Sequence, residues 1–223
     1  MMAGGIDLKH VARHTMDEAL RRGIAGVRVS AGRSRSVSVT WRKGRPDKVQ
    51  ESARRAVTLY LYLDGRYTTC STNDLRPEAL DRFLDGAAAM CRAMTPDPYR
   101  VLPDPSLYEG RDGRDLEIFD PAVAGITADQ RKRFAAEIEA AALDVGGERA
   151  IQAETTWEDE ENEFVQIHSN GFEGSRSGTT FGAWADVSFQ DEGDKRPSGD
   201  WGAVCRRKAD LPDAADVGRR AAE

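Results

Sequence analysis

The stretch Ala56–Met94, AVTLYLYLDGRYTTCSTNDLRPEALDRFLDGAAAMCRAM, decides how the rest of the chain is read. Val57, Leu59, Leu61 and Leu63 alternate with Thr58, Tyr60, Tyr62 and Asp64, the period of a half-buried strand. Asp64-Gly65 supplies the left-handed backbone of a two-residue hairpin turn, so Arg66 to Ser71 is expected to return antiparallel. Pro77 suits a first helical position, and Leu80, Phe83, Leu84, Ala87, Ala88, Cys91 and Met94 then recur at helical spacing as one apolar face. A hairpin followed by an amphipathic helix buries one face of a sheet and predicts an α+β fold.

Upstream, Asp7 to Arg22 reads as an amphipathic helix closed by Gly23. It carries His10 and His14 on one face, a spacing found in zinc sites, but neither an intervening Glu nor a third ligand accompanies them. They are read as a solvated helix face. Ile24–Val29 and Ser36–Trp41 read as two strands turning near Gly32. After punctuation at Gly44–Pro46, Asp47–Ser52 leads into the Ala56 strand, giving a meander. Arg33, Arg35, Arg42, Lys43, Arg45, Lys48, Arg54 and Arg55 concentrate positive charge there, the one sequence feature that favours a nucleic-acid surface. Basic side chains also protect exposed sheet edges, and only Trp41 is interleaved for base stacking.

Downstream, four prolines between Pro96 and Pro105 make a semi-rigid connector. It continues through Gly110 and Gly113 to the short apolar segment at Leu116, Ile118 and Phe119, closed by Asp120-Pro121. Thr127-Ala-Asp-Gln130 has capping-box spacing and starts a helix reaching about Asp144, with Phe134, Ala135, Ile138, Ala141, Ala142 and Val145 inward and Gly146-Gly147 at its end. Arg149–Trp157 and Glu163–Ser169 read as strands around an acidic turn, Glu158–Asn162, whose spacing fits no calcium loop and predicts a solvated hairpin tip. Asn170-Gly171 is a second hairpin signal. Ser177–Phe189 is a long strand with Thr179, Phe181, Ala183, Ala185, Val187 and Phe189 on one face. Gln190–Asp200 is a polar loop, Trp201–Arg207 a strand, and Asp213 the cap of a last helix that is still helical in composition at Glu223, which predicts either a chain that continues or a frayed end.

The organisation expected is therefore a domain over residues 1–95 (helix, meander, helix), a Pro/Gly-rich connector over 96–121, and a second, truncated α+β domain over 122–223. Each antiparallel sheet is covered by amphipathic helices. A formal net charge of −6 gives no general attraction to nucleic acid or anionic membrane. Cys70, Cys91 and Cys205 are odd in number and widely spaced, which predicts reduced thiols. With no charged start and apolar core at Met1–Ile6, and no run of the ~20 apolar residues a bilayer span needs, a cytoplasmic setting is the expectation.

No HExxH or HExxxH, Walker loop, dinucleotide fingerprint or Gly-x-Ser-x-Gly elbow is present, and adjacent His168 and Ser169 point to opposite strand faces, so they form no dyad. No catalytic, cofactor or metal residue is assigned, and the motifs leave enzymatic activity open.

The blocks MDEALRRGIAGVRVSAGRSRSVSVTWRKG, VTLYLYLDGRYTTCSTNDLRPEAL, AAAMCRAMTPDPYRVLPD, IHSNGFEGSRSGTTFGAWADVSF and KADLPDAADVGRRAAE, in that order, resemble the TldD/PmbA family, also described as modulators of DNA gyrase. The chain looks most like the amino-terminal half of the PmbA (TldE) branch. The resemblance implies a cytoplasmic, dimeric protein of metallopeptidase type that processes peptides or unfolded segments. It further implies that zinc ligands, an HExxxH helix and a distant Cys, belong to the second half of TldD-type members, that the PmbA branch generally lacks them, and that it acts as partner subunit. No position here matches those ligands. Zinc is expected only in a TldD-type partner or a carboxy-terminal half, and the expected partners are that subunit or a second copy, with a peptide substrate. The alternatives are a nucleic-acid modulator using residues 33–55, or an inactive half. Family members often place Ser or Thr where this chain has Arg76, which weakens that helix cap.

Overall fold

The computed structural model describes residues 6–110 and 113–223. The expected α+β class is what it shows. A single antiparallel sheet runs in the order β3-β2-β1-β4-β5-β6, built from β1 (Gly26–Arg42), β2 (Arg45–Leu63), β3 (Arg66–Thr72), β4 (Ala150–His168), β5 (Glu173–Phe189) and β6 (Ser198–Cys205). Four helices accompany it among the described residues: α1 (Leu8–Arg21), α2 (Pro77–Ala93), α3 (Ala128–Gly146) and α4 (Ala214–Ala222).

The turns form where the sequence demands them. Asp64 and Gly65 adopt φ of 51° and 71°, the geometry of a two-residue hairpin that joins β2 to β3. Gly171, at φ 102°, sits in the turn between β4 and β5. The Thr127 hydroxyl accepts from the Gln130 amide at 3.2 Å and the Gln130 side chain accepts from the Thr127 amide at 2.8 Å, so the capping box is complete. Asp213 holds the cap position of α4, but its side chain makes no capping hydrogen bond. Met94 and Val145, expected on buried helix faces, lie at the carboxy-terminal ends of α2 and α3 and are each 44% exposed.

Three expected breaks are absent. Gly32 does not reverse the chain: Ile24–Val29 and Ser36–Trp41 belong to one strand, β1, because Gly32 is paired with Ala56 on one side and Phe164 on the other. The reversal comes later, at Lys43-Gly44 with φ of 55° and 71°, and Arg42 closes it opposite Arg45. Likewise Asp47–Ser52 and the Ala56 strand are one element, β2. The acidic run Glu158–Asn162 is no solvated hairpin tip but the middle of β4, laddered to Ser34–Ser38 of β1 and to Gly178–Gly182 of β5. Neighbouring strands satisfy its backbone groups, and Asp159, which turns inward, meets the Arg131 guanidinium. β6 starts earlier than expected, at Ser198. Since β1 pairs with β4 along almost its whole length, the two expected sets of strands join into one sheet.

Odd-numbered residues of β1, β2, β4 and β5 face the helices. Val27, Val29, Leu59, Leu61 and Ile167 are buried under α1 and α2 with Leu8, Leu80, Leu84 and Cys91. Toward the other end of the strands, Ala153, Ala183, Ala185 and Val187 pack with Ile138 and Ala142 of α3 and Val217 of α4. Val39, Trp157 and Phe181 form a third cluster with Val123, Ile126 and Ala135. Small residues allow the α3–α4 crossing: a Cβ on Gly218 would stand 2.3 Å from the Ile138 carbonyl oxygen. Between the helix pairs, Arg33 donates to Glu163 at 3.0 Å.

Candidate functional site

All four helices crowd one side of the sheet, so the even-numbered strand residues form the opposite, open face. Along β1 this face reads Arg28, Ser30, Gly32, Ser34, Ser36, Ser38 and Thr40, a narrow run of small side chains. Its β4 side is lined by Glu158, Glu160, Asn162, Phe164, Gln166 and His168, the β1 partners across the register. Farther out, the Trp184 ring lies flat on the sheet, since a Cβ at Gly182 or at Gly202 would fall 2.1 Å from its ring atoms.

One end of this face is crossed by the proline-rich connector. The Arg100 guanidinium lies 5.1 Å from the Tyr67 ring centroid, and Leu102 approaches within 3.3 Å of where a Gly26 Cβ would be. The Tyr108 hydroxyl meets His168 Nδ1 at 2.8 Å, and its ring stacks edge-on with Phe172 at 5.1 Å. Asn170 in the hairpin turn donates to the Pro103 carbonyl at 2.7 Å.

His168 is the centre of a closed chain of hydrogen bonds. Arg28 donates to Gln166 Oε1 at 3.1 Å, which fixes the amide so that its nitrogen faces His168 Nε2 at 2.8 Å. His168 Nε2 therefore accepts, Nδ1 carries the proton toward Tyr108, and Tyr108 donates onward to Asn170 Oδ1 at 3.2 Å. Burial, with the nearby Arg28 charge, lowers the His168 pKa to about 4 and keeps the ring neutral. Ser169 turns away, its hydroxyl accepting from the Val27 amide at 2.9 Å. The pair is not a dyad: His168 pins the connector and Ser169 holds the start of β1.

Two depressions open on this face. One, of about 360 Å³, lies over Gly32 and is bounded by Arg54, Asn162, Phe164 and Arg176. The other, about 420 Å³, adjoins it across Phe164 and Arg176 and includes Gln166, Phe172 and Gly174. The basic meander only partly supplies them. Arg33 pairs with Glu163, Arg35 with Glu51, and Arg42 with Asp47 and Glu154. Lys43, Arg45, Lys48, Arg54 and Arg55 are exposed.

The remaining candidates stay apart. His10 and His14 stack at 6.4 Å on the outer face of α1, and among the described residues no group of three or more His, Cys, Asp or Glu is placed to hold a metal. The side chains of the described residues therefore do not fit a zinc site. Cys70, Cys91 and Cys205 are free thiols, with burial raising the pKa of Cys91 and Cys205. Among the described residues, no helix is long and apolar enough to cross a membrane. The sequence did not reveal Tyr108 as a partner of His168, because 60 residues separate them.

Comparisons with known proteins bear on this arrangement. Residues 27–91 match the PmbA/TldA metallopeptidase domain 1, and residues 121–223 match the PmbA/TldA metallopeptidase central domain. Over 118 residues the chain is 30% identical to the metalloprotease PmbA of Escherichia coli O157:H7, covering 53% of this chain and 26% of that protein. A crystal structure described as a modulator of DNA gyrase from Bacteroides thetaiotaomicron superposes with a TM-score of 0.89 at 31% identity, covering 96% of this chain and 48% of that one. TldE from Thermococcus kodakarensis has the same fold, with a TM-score of 0.70 at 14% identity over 95% of this chain and 46% of that one. The chain thus spans about a quarter of the curated relative and about half of each of these solved chains.

Proposed function

This chain belongs to the PmbA/TldD metallopeptidase family, and on that premise we propose that it serves peptide processing as scaffold, partner-binding and peptide-binding region rather than as the hydrolytic centre. The observation that carries this reading is the one-sided covering of the sheet: four helices on one face, and on the other a polar face with two adjoining depressions. A face of small hydroxyl side chains walled by Phe164, Arg54 and Arg176 suits an extended chain, whose backbone finds hydroxyl, amide and guanidinium partners whatever its sequence. Hydrolysis then belongs to a TldD-type subunit or to a zinc-bearing carboxy-terminal segment. The three free thiols support a reducing, cytoplasmic setting.

The experiment is a cleavage and binding assay with the purified chain, with and without a TldD-type subunit and with zinc in every arm. The expected result is binding of an unfolded peptide by this chain and cleavage only when the second subunit is present. Zinc-dependent cleavage by this chain alone would overturn the reading.

A further inference from the structure

The depression over Gly32 carries chemistry that a general peptide surface does not require. Its floor is a row across the strands in which Ala56, Gly32 and Phe164 stand side by side, and Gly32 leaves a gap between a methyl group and a ring. Arg176 continues that row on β5, 5.8 Å from the Phe164 ring centroid. Arg54 and Asn162 flank Ser34 in the next row. Arg54 and Arg176 therefore stand on opposite banks, three strand spacings and one row or about 16 Å apart between their backbones, and both border the same hollow. Both are exposed, and among the described residues Arg54 has no ion pair or hydrogen-bonded carboxylate, unlike Arg33, Arg35 and Arg42. Glu163 also borders the hollow, but its carboxylate is already paired with Arg33, so the two guanidiniums of Arg54 and Arg176, the Asn162 amide and the hydroxyls form a receptor for one negative charge.

We propose that this depression is a carboxylate-binding subsite that takes an acidic side chain of an extended peptide, and that the adjoining hollow at Phe164 and Phe172 takes a neighbouring apolar side chain. The inference rests on the peptide-binding reading above and narrows it to acidic-apolar segments. The surroundings select against a polyanion. Glu158 and Glu160 follow Asn162 along the same face of β4, so a nucleic-acid backbone laid through the site would set phosphates against carboxylates, whereas a single carboxylate stops at the arginines.

The test measures binding of fluorescent, end-blocked peptides to the whole chain at low salt. One carries an internal Asp-Leu, a second Asn-Leu, and a third, left unblocked only at its carboxyl end, has uncharged side chains; a single-stranded oligonucleotide is the competitor. The expected result is about tenfold tighter binding of the Asp peptide than of the Asn peptide, weakened by salt. Arg54→Gln and Arg176→Gln should each erase most of that difference. Gly32→Val fills the floor, and the strand tolerates it because a Cβ there meets nothing closer than 3.5 Å; it should abolish the preference while thermal unfolding is unchanged. Equal binding of the Asp and Asn peptides, unaltered by the three variants, overturns the subsite and leaves the peptide-binding face standing. Preference for the free-carboxylate peptide overturns the side-chain assignment in favour of a chain terminus. Stronger binding of the oligonucleotide overturns it in favour of nucleic acid, and failure of every peptide to bind overturns both readings.

Discussion

Arg131 on α3 and Asp159 in the middle of β4 meet as a bidentate ion pair, Nε to Oδ2 at 2.6 Å and Nη2 to Oδ1 at 2.8 Å, with both residues buried. Arg131 Nη1 donates to the Ile126 carbonyl at 2.7 Å, and the Trp157 indole donates to Asp159 Oδ2 at 2.8 Å. Each polar group in this pocket therefore has a partner. Removing one member strands a buried charge, so Asp159→Ala and Arg131→Met should each lower unfolding free energy by about 3–5 kcal/mol in urea titrations. The double variant should lose clearly less than the sum of the two. Additive losses would mean that the pair is uncoupled.

His168 predicts a pH dependence. Its folded pKa of about 4 lies below the ordinary histidine value of 6.5, so between those values the unfolded chain binds a proton that the folded chain refuses. Stability is then fully present above the unfolded value and falls as pH drops from about 6.5 to about 4, by at most about 3 kcal/mol. His168→Gln should flatten that part of the stability curve. A curve unchanged by the substitution would contradict the assignment.

Glu139 tethers the β1–β2 turn to α3, accepting from the Trp41 indole at 2.9 Å and from the Gly44 amide at 3.0 Å. Glu139→Ala leaves both donors without a partner, at a cost of about 1–3 kcal/mol. Hydrogen exchange at Gly44 should accelerate by about tenfold or more, while amides under α1 and α2 keep their protection.

Gly218 marks the tightest approach of α4 to α3, where an added Cβ would also sit 2.8 Å from the Ala142 nitrogen. Gly218→Ala gains helix propensity of about 1 kcal/mol but forces the helices apart. Net destabilisation is expected, with Val217 and Ile138 losing their close packing. A rise in melting temperature would show that the crossing can yield.

Arg76 occupies the cap position of α2 without a side-chain capping bond. Its ion pair with Asp74 is on the surface and contributes little. Arg76→Ser should therefore stabilise the chain by about 0.5–1 kcal/mol, read as a higher urea midpoint.

Local chemistry alone determined the turns at Asp64-Gly65 and Asn170-Gly171, the capping box at Thr127, and the inward face from Thr179 to Val187. Each depends on a backbone conformation or an alternation confined to a few neighbouring residues. The site was less legible. The basic run from Arg33 to Arg55 was visible as charge, but not which of its arginines would find a carboxylate on β4 or β2 and which would be left to face the depression over Gly32.

Where strands continue was decided only by the tertiary structure. Gly32 and the run Glu158–Asn162 look like breaks because glycine and clustered acids are poor strand formers in isolation. With β2 and β4 hydrogen-bonded to either side of β1, and β1 and β5 to either side of β4, the ladder outweighs that weak local preference. Asp159 tolerates burial because Arg131, distant along the chain, neutralises it. His168 likewise holds the connector only because the fold returns Tyr108 to it. Sequence fixes a conformation where the partners are neighbours; long-range pairing fixes it where they are not.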